Sequence, residues 1–377
     1  MSIEVAGVGS ISAAGRDTAE QWANLSAGSK NWVFDPTTGL SIYPVSSYPD
    51  RLDIRSFCDN RGADRSSLLA LYAANEAVHQ AGWTGEKFAI LVGCSRGPTH
   101  AWEEHYAAFT ATGETSLRSS PSTTLGSIGF ALADYFGSSS LASSLSVTCS
   151  SGMHALLHGV ALLRAGMVDR VLVGGTEASL TPFTLRQMET LRVYAKPTSD
   201  DRFACRPFDH PATGMAIGEG AAFLALERSG ADRATIGLAV GFAREQAGTA
   251  TGITSEGLAL QQSMKMALAG SPSPDVIVAH APGTRRGDEA EQQAVDRVFK
   301  GLTDRPMLTT GKWATGHTFG ASGPLGLVMA AEMLRRREGL WPLYFEQVVL
   351  PPLKRVLVNA TGFGGNAVSV LLNRHPG

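Results

Sequence analysis

Two rhythms of apolar residues alternate along the chain. Short runs with the length and composition of strands stand at Ile3 to Val8, Phe88 to Val92, Leu145 to Thr148, Val171 to Val173, Ala221 to Leu226, Ile236 to Phe242, Val276 to Ala279, Val356 to Val358 and Ala367 to Leu372. Between them apolar positions recur at spacings of three and four, the period of a helix with a buried face. The pattern is sharpest after Cys149, where Met153, Leu156, Leu157, Val160 and Leu163 follow the run Leu145 to Thr148 with no linker. Strands alternating with helices predict an α/β protein. Periodicity stops and restarts at one joint, Arg228-Ser229-Gly230-Ala231-Asp232, so a boundary near Ala231 divides the chain into residues 1–231 and 232–377. The halves echo each other in plan. Thr148-Cys149-Ser150-Ser151-Gly152 opens a helix ending at Leu163-Arg164, and Thr315-Gly316-His317 leads through Gly323 into one ending at Leu334 to Arg337.

This pattern places the Cys149 sulfur at a helix N-terminus, where unpaired N–H groups favour thiolate over a thiol of ordinary pKa, about 8.5. A buried structural cysteine is the competing reading for any lone Cys. The surroundings decide against it. His280 opens His280-Ala281-Pro282-Gly283-Thr284 directly after an apolar run, and His317 stands in Gly316-His317-Thr318-Phe319-Gly320-Ala321-Ser322-Gly323. A third glycine-rich turn, Gly362-Phe363-Gly364-Gly365-Asn366, interrupts the last two strand-like runs and lets backbone N–H groups approach a ligand. One thiol, two imidazoles and a loop of backbone donors are the parts of an acyl-transfer site.

Thr148-Cys149-Ser150-Ser151-Gly152, His280-x-x-Gly283-Thr284, Lys312-x-x-x-Gly316-His317 and Gly362-Phe363-Gly364-Gly365, in that order, resemble the β-ketoacyl-ACP synthases of the thiolase superfamily. The likeness is greatest to the elongating enzymes of fatty-acid and type II polyketide synthesis. It extends over nearly the whole chain, with Arg206-Pro207-Phe208-Asp209 and Gly218-Glu219-Gly220 as further landmarks. The resemblance implies a thiolase-like fold, in which two duplicated α/β halves pack as five layers, α-β-α-β-α. It implies Cys149 as nucleophile, the N–H groups of Cys149 and Phe363 as oxyanion hole, His280 and His317 as donors to the enolate of a decarboxylated malonyl thioester, and Lys312 and Glu291 as electrostatic tuners. Phe363 is similar to the family's gating aromatic. Thr284 matches a threonine that hydrogen-bonds the phosphopantetheine arm, and Gly364 belongs to the substrate-facing glycine loop. No further cofactor is implied, because substrates arrive on the pantetheine arm of an acyl carrier protein. Carrier proteins are acidic, so Arg285 and Arg286 beside Thr284, with Arg61 and Arg65 behind them, are the candidate docking residues.

Composition narrows the alternatives. Hydrophobic residues at 44% and charged residues at 18% describe a well-buried globular enzyme, and a net charge of -2 gives no reason to expect nucleic acid as partner. Cys58, Cys94, Cys149 and Cys205 lack CxxC spacing, which argues against a zinc site or disulfide framework and for a reducing compartment. The start Met1-Ser2-Ile3-Glu4-Val5 has no signal-peptide character and no apolar segment approaches the roughly 20 residues that span a bilayer, so the expected location is the cytoplasm.

Rival functions fail on single residues. A thiolase needs a second cysteine in the C-terminal glycine loop, an initiating synthase typically has Asn where His317 stands, and the non-catalytic chain-length partner of type II systems lacks the cysteine. Two departures from the family pattern stand out. Pro282 replaces a threonine that helps hold the pantetheine arm, and Arg96 occupies the place of an apolar residue at the deep end of the acyl pocket. A guanidinium there is costly beside an alkyl chain, which points to a shortened pocket or a polar or unsaturated acyl group. The family dimerises beside its active site, so a homodimer, or a heterodimer with a chain-length-factor-like paralogue, is expected.

Overall fold

A computed structural model describes residues 2–84, 87–196, 202–228, 236–246, 248, 252–302 and 304–375. Ten strands make the main sheet. The first five are β1 (Ile3–Ser12), β2 (Ala89–Gly93), β3 (Ala142–Leu145), β4 (Arg170–Glu177) and β5 (Gly220–Arg228). The second five are β6 (Ile236–Arg244), β7 (Val276–Val278), β8 (Met307–Thr309), β9 (Arg355–Gly362) and β10 (Asn366–Arg374). In space the first set runs β1-β5-β4-β2-β3 and the second β6-β10-β9-β7-β8. Both sets show the same pairing, antiparallel for the first two neighbours and parallel for the last two. The echo seen in sequence is thus a duplicated topology. The two sets meet edge to edge at one β1–β6 pairing, Glu4 opposite Gly237. The expected boundary at Ala231 lies outside the described residues.

Helices complete the layers. Between the two sets of strands run α2 (Ser151–Arg164) and α5 (Ser322–Arg336). α5 is buried on nearly every side from Gly323 to Leu334, as a helix sheathed by two sheets must be. The outer faces are covered by α1 (Arg65–Ala81) on the first set, and by α3 (Leu258–Leu268) with α4 (Arg285–Val298) on the second. Leu156, Val160 and Leu163 of α2 join Leu327, Val328 and Leu334 of α5 in one central core. The order α-β-α-β-α is the expected five-layer arrangement.

One strand expectation needs correction and one strand was missed, both at sheet edges. β3 is Ala142–Leu145 rather than Leu145 to Thr148, and β8 carried no expectation. β3 is half-buried at every position, and two of its four residues are serine, so its apolar signal is weak. The chain leaves the sheet at Leu145 and turns, with Thr148 in the left-handed region at φ 51°. No helix among the described residues is long and apolar enough to cross a membrane.

Candidate active site

The turn between β3 and α2 is held by its own side chains. Ser151 Oγ donates to the Thr148 carbonyl at 2.6 Å and accepts from the Val147 N–H at 2.8 Å, while Ser150 Oγ donates to the Val147 carbonyl at 2.9 Å. The two serines that follow Cys149 therefore build the strained elbow that presents it. Cys149 is buried at the top of this turn. Burial pushes its thiol up to about 12, opposed by the nearby Lys312 ammonium and reinforced by the Glu177 carboxylate. The expectation that a helix N-terminus keeps this sulfur as thiolate is corrected: removal from water outweighs the helix end, and the resting form is the thiol.

His280 follows β7 and is clamped from α4. Glu291 Oε1 accepts the His280 N–H at 3.0 Å, and Oε2 accepts the N–H of Ala281 at 2.7 Å. Ala281 sits at φ 30°, an unfavourable conformation for alanine that this carboxylate stabilises. Asn359, in β9, donates to Glu291 Oε1 at 3.1 Å. Lys312 Nζ donates to the His280 carbonyl oxygen and lies 3.5 Å from His280 Nδ1. An ammonium carries only donors, so Nδ1 is the acceptor and Nε2 carries the imidazole proton.

His317 is fixed by a second device. Its N–H donates to the Ala216 carbonyl at 2.8 Å, and its carbonyl accepts from Gly218 at 3.1 Å. A Cβ on Gly218 would stand 2.0 Å from the Thr315 carbonyl oxygen, which explains the first glycine of Gly218-Glu219-Gly220. The Phe319 N–H donates to His317 Nδ1 at 3.0 Å, so here too the neutral ring carries its proton on Nε2. The rings of His280 and His317 lie 5.4 Å apart, near perpendicular. Both are held well below the usual imidazole range, by burial first and then by the Lys312 charge. Burial lowers Lys312 itself to about 8, against the raising effect of Glu291.

A stack of glycines brings the two halves together. A Cβ on Gly152 would lie 2.6 Å from the Gly320 carbonyl oxygen, and one on Gly175 2.3 Å from the same atom. Glu177, at the end of β4, ties this contact down by accepting from the N–H groups of Ser95 at 2.8 Å, Arg96 at 3.1 Å and Gly320 at 3.1 Å. Sequence reasoning missed Glu177, although a carboxylate closing the run Val171 to Gly175 was a visible signal of a buried acceptor.

Cys149, His280 and His317 all line one cavity of about 310 Å³. Met188, Val193, Met215 and Phe319 give it an apolar side, and Thr284 and Arg286 stand at another. Gly362 and Phe363 close it beside the sulfur; Thr148 Oγ1 donates to the Phe363 carbonyl at 3.3 Å, and Phe363 is partly exposed. One cavity thus brings a thiol and two imidazoles onto a shared lining.

The descriptions "Beta-ketoacyl synthase, N-terminal domain" and "Beta-ketoacyl synthase, C-terminal domain" match residues 1–231 and 236–342. The chain belongs to the β-ketoacyl synthase family. It is 27% identical to the oxytetracycline polyketide putative beta-ketoacyl synthase 1 of Streptomyces rimosus, over 90% of this chain and 86% of that one. It is also 27% identical to nodulation protein E of Rhizobium leguminosarum bv. trifolii, over 90% and 87% of the two chains. Among solved structures it resembles a ketosynthase in complex with its chain length factor from Xenorhabdus doucetiae, with TM-score 0.82, 24% identity and coverage of 99% and 98%. A beta-ketoacyl synthase from Burkholderia phymatum gives TM-score 0.86 at 22% identity, with all of both chains covered. These last two likenesses concern the fold.

Other candidate residues of this synthase fall in varied places. Thr284 lines the cavity while its Oγ1 caps α4, accepting from Gly287 at 3.3 Å. Gly364 backs the glycine loop instead of facing the cavity; its carbonyl accepts from Arg244 at 3.1 Å. Arg96 is corrected from the cavity's lining to a position behind Phe319, with its Cζ 5.9 Å from that ring. Arg286 is exposed at the cavity's edge, and Arg285 beside it pairs with Glu289 at 3.0 Å. Arg61 pairs with Asp134 at 2.6 Å on the surface. Arg65 is corrected as a docking residue: it makes a two-pronged contact with buried Glu219, and its charge is spent inside the protein. Arg192 was missed. It is exposed between Leu191 and Val193, both of which line the cavity.

Proposed function

We propose that this synthase performs decarboxylative Claisen condensation between an acyl group carried on Cys149 and a malonyl group carried by an acyl carrier protein. The thiol attacks the incoming acyl thioester, the pantetheine sulfur leaves with the proton, and an acyl-cysteine results. The malonyl thioester then loses carbon dioxide, and its enolate oxygen accepts from Nε2–H of His280 and of His317. The enolate carbon attacks the acyl-cysteine, its carbon–sulfur bond breaks, and the sulfur leaves as thiolate, taking a proton from solvent to restore the thiol as the β-ketoacyl carrier departs. No step is a net oxidation and the enolate is held by N–H donors, so the scheme calls on no metal or redox cofactor.

One observation supports this reading: both imidazoles have Nδ1 facing a donor, which leaves the proton of each neutral ring on Nε2, and both rings line the cavity that holds the thiol. Two donors aimed at one oxygen stabilise an enolate without giving up a proton. Arg286 and Arg192 at the cavity's edge suit an acidic carrier, as does Arg285 beside them. Partnership with a related subunit is the second part of the proposal. Trp102, Tyr106 and Phe109 are exposed along the helix Thr99–Thr112, and one structural relative is a ketosynthase in complex with its chain length factor.

Intact-protein mass spectrometry after incubation with acyl carriers tests the scheme. Cys149→Ala abolishes the acyl adduct, whereas His280→Ala retains loading and loses carbon dioxide release. Condensation at the parental rate by the histidine variant would refute the assignment of roles.

A further inference from the structure

Behind the wall of the cavity lies a cation that the condensation does not use. Arg96 follows β2, and its N–H is anchored on Glu177. Its half-buried side chain donates through Nη2 to Gln187 Oε1, in the helix Pro182–Thr190 whose next residue, Met188, lines the cavity. The guanidinium lies against the Phe319 ring, which in turn lies 5.4 Å from the ring of His317. Phe319 therefore separates the charge from the catalytic chamber. Arg96 Nε is sealed from solvent and meets no acceptor among the described residues, and the same holds for His100 Nε2 four positions on.

A guanidinium stays charged and presents five donors. One amide oxygen and one aromatic face leave it short of acceptors, and an orphaned buried N–H is an uncommon feature. The partition in front of it is an aromatic ring with no polar atom to hold it in place, on a residue at φ 41°, where non-glycine backbone is unfavourable. A methyl-ended chain that displaced this ring would bury the charge further and supply nothing. A chain ending in oxygen would supply the missing acceptor in a charge-assisted hydrogen bond.

Building on the condensing role, we propose that Arg96 makes this synthase selective for acyl groups whose far end carries an accepting oxygen, a carboxylate foremost, with Phe319 as the movable partition in front of it. Short acyl groups stop at the ring and are loaded without regard to Arg96. Longer ones push the ring aside and are sorted by what they bring to the guanidinium.

The test uses the full-length protein and pairs of synthetic pantetheine thioesters of equal length, one ending in methyl and one in carboxylate, with adducts on Cys149 followed by intact mass. Acetyl loading serves as the separate check on the condensing role. Beyond the length that reaches Phe319, the carboxylate-ended partner loads at least tenfold faster on the parent. Arg96→Met removes that preference, and Phe319→Leu lowers the length at which it begins. Equal rates for both ends on the parent, or a preference that survives Arg96→Met, would overturn the inference while acetyl loading proceeds. So would an Arg96→Met protein with parental selectivity and a changed oligomeric mass, which would give the guanidinium to a subunit contact. Failure of acetyl to load at all would instead strike the condensing role.

Discussion

Replacing Gly152 by alanine tests whether the meeting of the two halves sets the reaction geometry. Gly152 opens α2 three residues after Cys149, and Gly320 lies three residues after His317. The added Cβ would stand 2.6 Å from the Gly320 carbonyl oxygen and 2.4 Å from Pro324 Cγ. Ordinary contacts begin near 3.4 Å, so the Cys149 elbow and the His317 loop must separate by about 0.8 Å. Overpacking of this kind costs about 1–3 kcal/mol, which for a protein of this size lowers Tm by roughly 1–4 °C. Misplacement approaching ~1 Å between reacting groups costs about a hundredfold in rate. The prediction is therefore a small loss of stability with a disproportionate loss of condensation, and acyl loading of Cys149 less affected because it does not need His317. Gly326→Ala, whose Cβ would meet only side-chain methyls at 3.1 and 3.3 Å, is the matched control and keeps most activity. The assays are Tm by thermal scan, loading by intact mass and condensation by product formation. A Gly152→Ala enzyme condensing within threefold of the parent at unchanged Tm would refute the reasoning.

Three further outcomes follow from charge. Lys312 titrates near 8, so its ammonium is present below that pH and lost above it; malonyl decarboxylation falls as pH rises through about 8, and Lys312→Met, slower throughout, lacks this limb in its pH profile. With the Cys149 thiol pushed up to about 12, alkylation by iodoacetamide keeps accelerating from pH 7 to 10, and a plateau near neutrality would contradict the buried-thiol description. Burial raises Asp288 to about 7, from an unfolded carboxylate near 4, so the folded state binds the extra proton and this site withdraws stability as pH rises between those values. Asp288 also accepts from Phe208 at 2.8 Å and Gly283 at 3.0 Å, so Asp288→Asn is less stable at pH 5 yet shows a shallower decline toward pH 7 in urea titrations. A decline as steep as the parent's would remove Asp288 from that account.

The architecture was largely legible because its strands are buried on both faces and therefore read as unbroken apolar runs, as in Val356 to Val358 and Ala221 to Leu226. The edge strands β3 and β8 were not, since a half-buried serine pair in β3 and only three residues in β8 give no such run. Cys149, His280 and His317 were readable from the glycine-bearing segments around them, and those glycines turn out to mark close backbone approaches such as Gly283 on Gly214. What local pattern cannot convey is the balance of long-range terms. The helix end beside Cys149 was visible in the sequence, the desolvation that overrides it was not. Arg65 likewise read as a surface cation until Glu219, far along the chain, was placed beneath it.

Cys149 comes from the first half of the duplicated fold, while His280, His317 and the Lys312 ammonium that lowers both imidazoles come from the second. On the ribosome the sulfur emerges long before its partners are made. A prematurely terminated product retaining the first half alone would lack both histidines that share the cavity with the sulfur. Only a completed chain can therefore bring the thiol and the two imidazoles onto one lining.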